Sequence, residues 1–160
     1  MADNVNHPAH YQAYFETEDV ECINLTRQLD FCLGNCAKYL WRCGHKGNRQ
    51  KSFEDLDKAR WYMEDWFANH MPEEPTLVLH KGVTIDTWVL KERDDMPIKN
   101  PFAEKVRIAF AFIKPPEASE NPELYDRYQL LKMFTDDYIV PAQWRLRMDA
   151  YEDKHLGDRV

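Results

Sequence analysis

Two prolines set three residues apart, Pro72 and Pro75, divide this chain into stretches of different texture. Proline lacks an amide hydrogen and its ring clashes with the preceding helical turn, so a helix that runs into Met71-Pro72-Glu73-Glu74-Pro75 must stop there. Ahead of that break, Leu56, Ala59, Met63, Trp66 and Phe67 recur at helical spacing and define one apolar face. This helix is predicted to begin near Ser52, where Ser52-Phe53-Glu54-Asp55 is a capping box with aspartate in place of glutamate. Residues 31–43 predict a second helix, stopped by Gly44. Residues 18–29 predict a third, with Val20, Ile23 and Leu29 as core positions. Residues 1–16 read as an extended arm, because Pro8 pushes His7 away from helical dihedrals.

Beyond the break, Thr76 to Leu79 and Val83 to Leu90 are rich in strand formers, and His80-Lys81-Gly82 between them suggests a β-hairpin. Val106 to Ile113 fits either a strand or a buried helix. Residues 122–137 and 141–155 read as helices, the first with Leu124, Tyr128, Leu131 and Phe134 spaced for a core stripe. The expectation is an α+β fold. Residues 1–71 form an N-terminal three-helix domain, and residues 76–160 form a small α+β extension of a hairpin and two helices.

Charge narrows the function classes. The net charge of −7 disfavours general adhesion to nucleic acid or to an anionic membrane. Yet no acid lies between Asp30 and Glu54, while Lys38, Arg42, Lys46, Arg49 and Lys51 all do. A positive segment concentrated inside an acidic chain points to a local anion site. With 8 Phe, 5 Trp and 8 Tyr, a packed core is attainable without disulfides or metals. Met1-Ala2-Asp3-Asn4 has no apolar run behind it, so a cytoplasmic protein with reduced thiols is expected. The cysteines, Cys22, Cys32, Cys36 and Cys43, contain no Cys-x-x-Cys pair, and buried apolar thiols are a better expectation than a zinc site.

The chemistry-bearing residues gather in the same window. Asn35, Lys38 and Arg42 are separated by three and four residues and so share a helix face, bordered by Tyr39. His45 and Lys46 follow just past the helix end. Lysine offers a mobile charge for phosphate, arginine a planar fork, and asparagine both a donor and an acceptor for a base. The competing reading is a solvated basic face complementing a helix C-terminus. Asp55, Lys58 and Tyr62 form a second stripe on the next helix. Asp55 is a candidate Mg2+ ligand or an interhelical partner for Arg42 or Lys38, and Glu21, inside the first helix, is a second candidate ligand. His7, His10 and Tyr11 are either ligand contacts or the anchor of an arm. A Gly-x-x-x-x-Gly-Lys-Ser/Thr loop, a Gly-x-Gly-x-x-Gly turn, a Gly-x-Ser-x-Gly elbow and a His-Glu-x-x-His pair are all missing, so phosphate binding must rely on helix side chains.

The ordered blocks Asn6-His7-Pro8-Ala9-His10-Tyr11, Glu21-Cys22-Ile23, Gly34 to Lys46 and Asp55 to Tyr62 resemble a family of small phage proteins, most of them uncharacterised. That family includes a nucleotide kinase, without a P-loop, that phosphorylates thymidylate and deoxyguanylate. The resemblance covers residues 5–67 and does not extend to residues 76–160. It implies a nucleotide-handling protein of the infected bacterial cytoplasm, with ATP as phosphate donor, Mg2+ as companion ion and a homo-oligomer as a candidate assembly. Its matching positions are His7, His10, Tyr11, Glu21, Asn35, Lys38, Tyr39, Arg42, Lys46, Asp55, Lys58 and Tyr62. The alternative is a non-catalytic factor that binds a nucleotide, or a host protein through the C-terminal extension. A third, weaker reading, nucleotide pyrophosphate hydrolysis, wants clustered acids that the central helix lacks.

Overall fold

The computed structural model describes residues 20–44, 48–70 and 96–159, together with the backbone of 77–79 and 88–90. Six helices carry most of it: α1 (Cys22–Thr26), α2 (Phe31–Arg42), α3 (Arg49–Asn69), α4 (Ala103–Phe110), α5 (Pro122–Lys132) and α6 (Pro141–His155). Two short antiparallel ladders complete it. In the first, β1 (Leu77–Leu79) pairs with β2 (Trp88–Leu90), Val78 facing Val89. In the second, β3 (Ile98–Lys99) pairs with β4 (Tyr138–Ile139). The fold is α+β, as expected, with the helices dominant.

The predicted apolar face of α3 is the observed one: Leu56, Ala59, Met63, Trp66 and Phe67 are all buried. It packs against Leu33, Cys36, Ala37, Leu40 and Trp41 of α2 in a core that also takes in Tyr128, Leu131 and Phe134 of the C-terminal half. Gly44 stops α2 as expected, with φ +82°, the left-handed region where a side chain is penalised.

Several boundaries differ from expectation. Helix α3 starts at Arg49, capped by Asn48, whose side chain accepts from the Lys51 amide. Ser52 is therefore inside the helix and buried, not its cap. An asparagine three residues upstream of a free amide is as good a cap as serine. Helix α1 is shorter than residues 18–29, and Glu21 is its N-cap residue instead of an interior acid: the Glu21 amide donates to Asn24 Oδ1 at 2.8 Å. Starting at Cys22 sets the buried phase on Cys22 and Leu25, and leaves Ile23 52% exposed. The segment from Val106 is helical. Helix α5 ends at Lys132 and passes through a 3-10 turn, Met133–Thr135, because the chain must then run extended to meet Ile98.

Asn100 fixes that meeting. Its Nδ2 donates to the Phe134 and Asp136 carbonyls, at 2.9 and 3.1 Å, and its Oδ1 accepts the Phe102 amide. Among the described residues no helix is long and apolar enough to cross a membrane.

Candidate functional site

Helices α2 and α3 form an antiparallel helical hairpin, and the site lies along its seam. Asp30 sets one end. Its Oδ1 accepts the Leu33 amide as the N-cap of α2, and its Oδ2 accepts the Trp66 indole N–H of α3 at 2.9 Å. A cap residue that also ties two helices fixes their register. The next tie is Cys32, whose thiol donates to Asp65 Oδ2 at 3.2 Å. At the other end Arg42 Nε meets Asp55 Oδ1 at 3.1 Å, with side chains only 10% and 1% exposed. The interhelical pair foreseen for Asp55 is thus present.

Between these ties the seam is basic and aromatic. The charged groups of Lys38, Arg42 and Lys58 lie 4.4, 5.4 and 5.3 Å from the centre of the Tyr39 ring. The ring's negative face attracts each of them. Tyr39 and Tyr62 stack at 6.0 Å, with ring planes 11° apart. Neither Lys38 nor Lys58 pairs with a carboxylate among the described residues. Nearby Glu54 is drawn to Lys51 at 2.9 Å, which holds its carboxyl below the usual range. Lys38 also lines a hollow of about 270 Å³ with Thr26, Phe31, Gly34 and Asn35. Gly34 makes that hollow by letting α1 approach: a Cβ there would sit 3.2 Å from the Thr26 carbonyl oxygen.

The proposed face therefore separates into two parts. Asn35 and Lys38 border the hollow, while Arg42 turns across to Asp55, and Tyr39, Lys58 and Tyr62 lie between. Glu21 serves the start of α1. His7, His10, Tyr11, His45 and Lys46 lie outside the described residues. Sequence reasoning missed three participants. Phe31 and Trp61 are 74% and 63% exposed and meet Tyr62 edge-on. Arg127, wholly buried, donates to the Leu40 and Trp41 carbonyls at 3.2 and 2.5 Å and to Glu123 Oε1 at 2.8 Å. It thereby caps the C-terminal end of α2 that carries Arg42. The Phe31-to-Tyr62 proximity had a signal, the helical-hairpin pairing. The contact of Arg127 with α2 had none, since the Trp41 and Leu40 carbonyls lie 86 and 87 residues away.

Among the described residues no group of three or more His, Cys, Asp or Glu is placed to hold an ion. Asp55 does not fit Mg2+, which keeps several waters, because its carboxylate is walled in at 1% exposure against Arg42. The four thiols are free, and Cys22, Cys36 and Cys43 are buried. Burial pushes Cys22 up to about 12, and Cys32 and Cys43 up to about 11, with Asp65 adding to the effect at Cys32. Burial likewise raises Cys36. At pH 7.5 the folded protein is expected to react with an aromatic disulfide reagent far more slowly than the urea-unfolded chain, whose thiols return to about 8.5. A fast-reacting thiol in the native protein would contradict this.

Comparison with known proteins agrees with the sequence resemblance at its coarse level. A family model described as a protein of unknown function (DUF3310) matches residues 5–64. The Gene 1.7 protein of Enterobacteria phage T3 is 35% identical over 68 residues, which is 40% of this chain and 42% of that relative. The chain thus spans less than half the length of the curated relative it matches. No solved structure shows a significant match. The matched region contains α1, α2 and most of α3, and so the whole seam from Phe31 to Tyr62.

Proposed function

We propose that the α2–α3 seam binds the phosphate chain of a nucleotide. The observation that carries this reading is the gathering of Lys38, Arg42 and Lys58 around one tyrosine ring in a chain of net charge −7. Like charges held close repel each other, and Asp55 answers only one of the three. An anion arriving beside Tyr39 relieves that repulsion. The two lysines supply mobile charges that follow phosphate oxygens, and Arg42 supplies a fixed one, since Asp55 and the capped end of α2 hold it in place.

The resemblance to a family with a phosphotransferase member extends the reading to a reaction. The terminal phosphoryl group of ATP passes to a phosphate oxygen of a deoxynucleoside monophosphate. The bond to the ADP oxygen breaks, and a new phosphoanhydride bond forms. Lys38 and Lys58 would neutralise charge on the transferred group, and the seam would act by positioning and electrostatics. No step here relies on a protein-bound metal.

Titration of the full chain with deoxynucleoside mono- and triphosphates tests the binding. Lys38→Ala and Lys58→Ala are each expected to cost about 1.5–3 kcal/mol of affinity, the range for charge-assisted hydrogen bonds, with unchanged thermal unfolding. Affinities unmoved by both substitutions would remove the reading. Incubation with Mg-ATP and each monophosphate separates transfer from binding. Thermal stabilisation by nucleotide without any diphosphate product would leave a binding module and eliminate the kinase.

A further inference from the structure

Tyr39, at the proposed phosphate site, belongs to a cluster of four aromatic rings centred on Tyr62. Tyr39 stacks on Tyr62. Tyr62 is met edge-on by Phe31 at 5.8 Å and by Trp61 at 5.2 Å. The cluster thus crosses the seam, with rings from both helices. Its outer members are open to solvent: Phe31 is 74% exposed and Trp61 63%, whereas Trp41, Trp66 and Trp144 are fully buried. Packing of the hairpin does not require that exposure, because the core face of each helix is already covered by other residues. Exposed aromatic faces beside ammonium groups that form no carboxylate ion pair among the described residues are what a molecule combining a flat ring with phosphates would engage.

The spacing agrees. Phe31, Asn35 and Lys38 lie in line on α2 and border the same hollow of about 270 Å³. Seven residues of helix from Phe31 to Lys38 span about 10 Å, the scale of a nucleotide from its base to its phosphate chain. Asn35 lies between them. Its Nδ2 donates to the Phe31 carbonyl at 2.8 Å, which orients the amide. An amide so anchored still carries a carbonyl oxygen and a second N–H, the pair that matches a base edge.

We infer that Phe31, with Trp61 and Tyr62, is the stacking surface for the nucleobase, so that the ligand is a nucleoside phosphate gripped at both ends and not a simple phosphate anion. This rests on the phosphate reading of Lys38 and Lys58 and adds the half of the ligand that those residues do not contact. A partner protein would meet the same exposed rings, but the charge around Tyr39 favours an anionic aromatic ligand.

The experiment uses the full chain and three probes: a deoxynucleoside triphosphate, inorganic tripolyphosphate and a short single-stranded oligodeoxythymidylate. Calorimetric affinities are measured for the wild type, Phe31→Leu, Trp61→Leu and Lys38→Ala, with thermal unfolding as the check on folding. The nucleotide is expected to bind about 10-fold or more tighter than tripolyphosphate. Phe31→Leu should weaken the nucleotide about 10-fold, near the low end of base–aromatic stacking, and leave tripolyphosphate unchanged. Lys38→Ala should weaken both. Equal affinities for nucleotide and tripolyphosphate, with neither aromatic variant moving them, would overturn the stacking surface while the phosphate site survives. No binding of either probe would remove the phosphate site itself. An oligonucleotide held far more tightly than the mononucleotide would overturn the inference in favour of a strand-binding track.

Discussion

Replacing Arg127 with methionine is expected to lower the unfolding free energy by about 3–5 kcal/mol, from leaving two buried carbonyls without a donor at about 1–3 kcal/mol each and from losing one half-exposed ion pair. The side chain is 0% exposed and serves three acceptors at once: the Leu40 carbonyl, the Trp41 carbonyl and Glu123. Methionine fills much of the volume but donates nothing. Two carbonyls at the end of α2 lose their donor in a place water does not reach. Glu123, 35% exposed, retains some solvent and the hydroxyl of Tyr151, which softens the loss on its side. At about 2–4 °C per kcal/mol for a chain of this size, the melting temperature should fall by roughly 6–20 °C. Urea unfolding followed by circular dichroism measures it, and a change under about 1 kcal/mol would mean that α2 does not depend on its cap.

The second large effect lies at Asp55. Asp55→Ala is expected to destabilise by about 3–5 kcal/mol, because Arg42 would remain charged in a nearly closed site. Removing both charges together, with Arg42→Met and Asp55→Leu, should recover most of that loss, since a buried pair is often replaceable by apolar groups of similar volume. Binding is expected to part company with stability in the double variant. It should fold yet hold a nucleoside triphosphate about 10-fold more weakly, having lost one cation beside Tyr39. A double-mutant cycle followed by both readouts separates the structural role of the pair from its ligand role. If the double variant binds as the wild type does, Arg42 is purely architectural.

The candidate site was legible in its residue types more than in its geometry. The acid-free window and the three- and four-residue spacing singled out Lys38, Tyr39 and Arg42, and the adjoining stripe singled out Asp55, Lys58 and Tyr62. The structure brings Lys38, Arg42 and Lys58 to Tyr39 and sets Arg42 on Asp55. It does not place Arg42 in the hollow that Asn35 and Lys38 border. Helical spacing gives an angle around one axis, and says nothing of which side of that stripe the neighbouring helix covers. Phe31 escaped notice for a related reason: an apolar residue at the start of a helix reads as core until the packing shows it left outside.

What local rules could decide, the chain itself decided. The apolar period of α3, the glycine that ends α2 and the proline that opens α6 at Pro141 are properties of a few consecutive residues. Sterics and periodicity act at that range, so they are readable along the string. Tertiary structure alone decided that Arg127 would cap α2, that Asp55 would be sealed against Arg42, and that β3 would pair with β4 across the 3-10 turn. Each depends on groups far apart in sequence, whose meeting is set by how the helices bury their apolar faces together, a collective outcome that no short stretch of residues encodes.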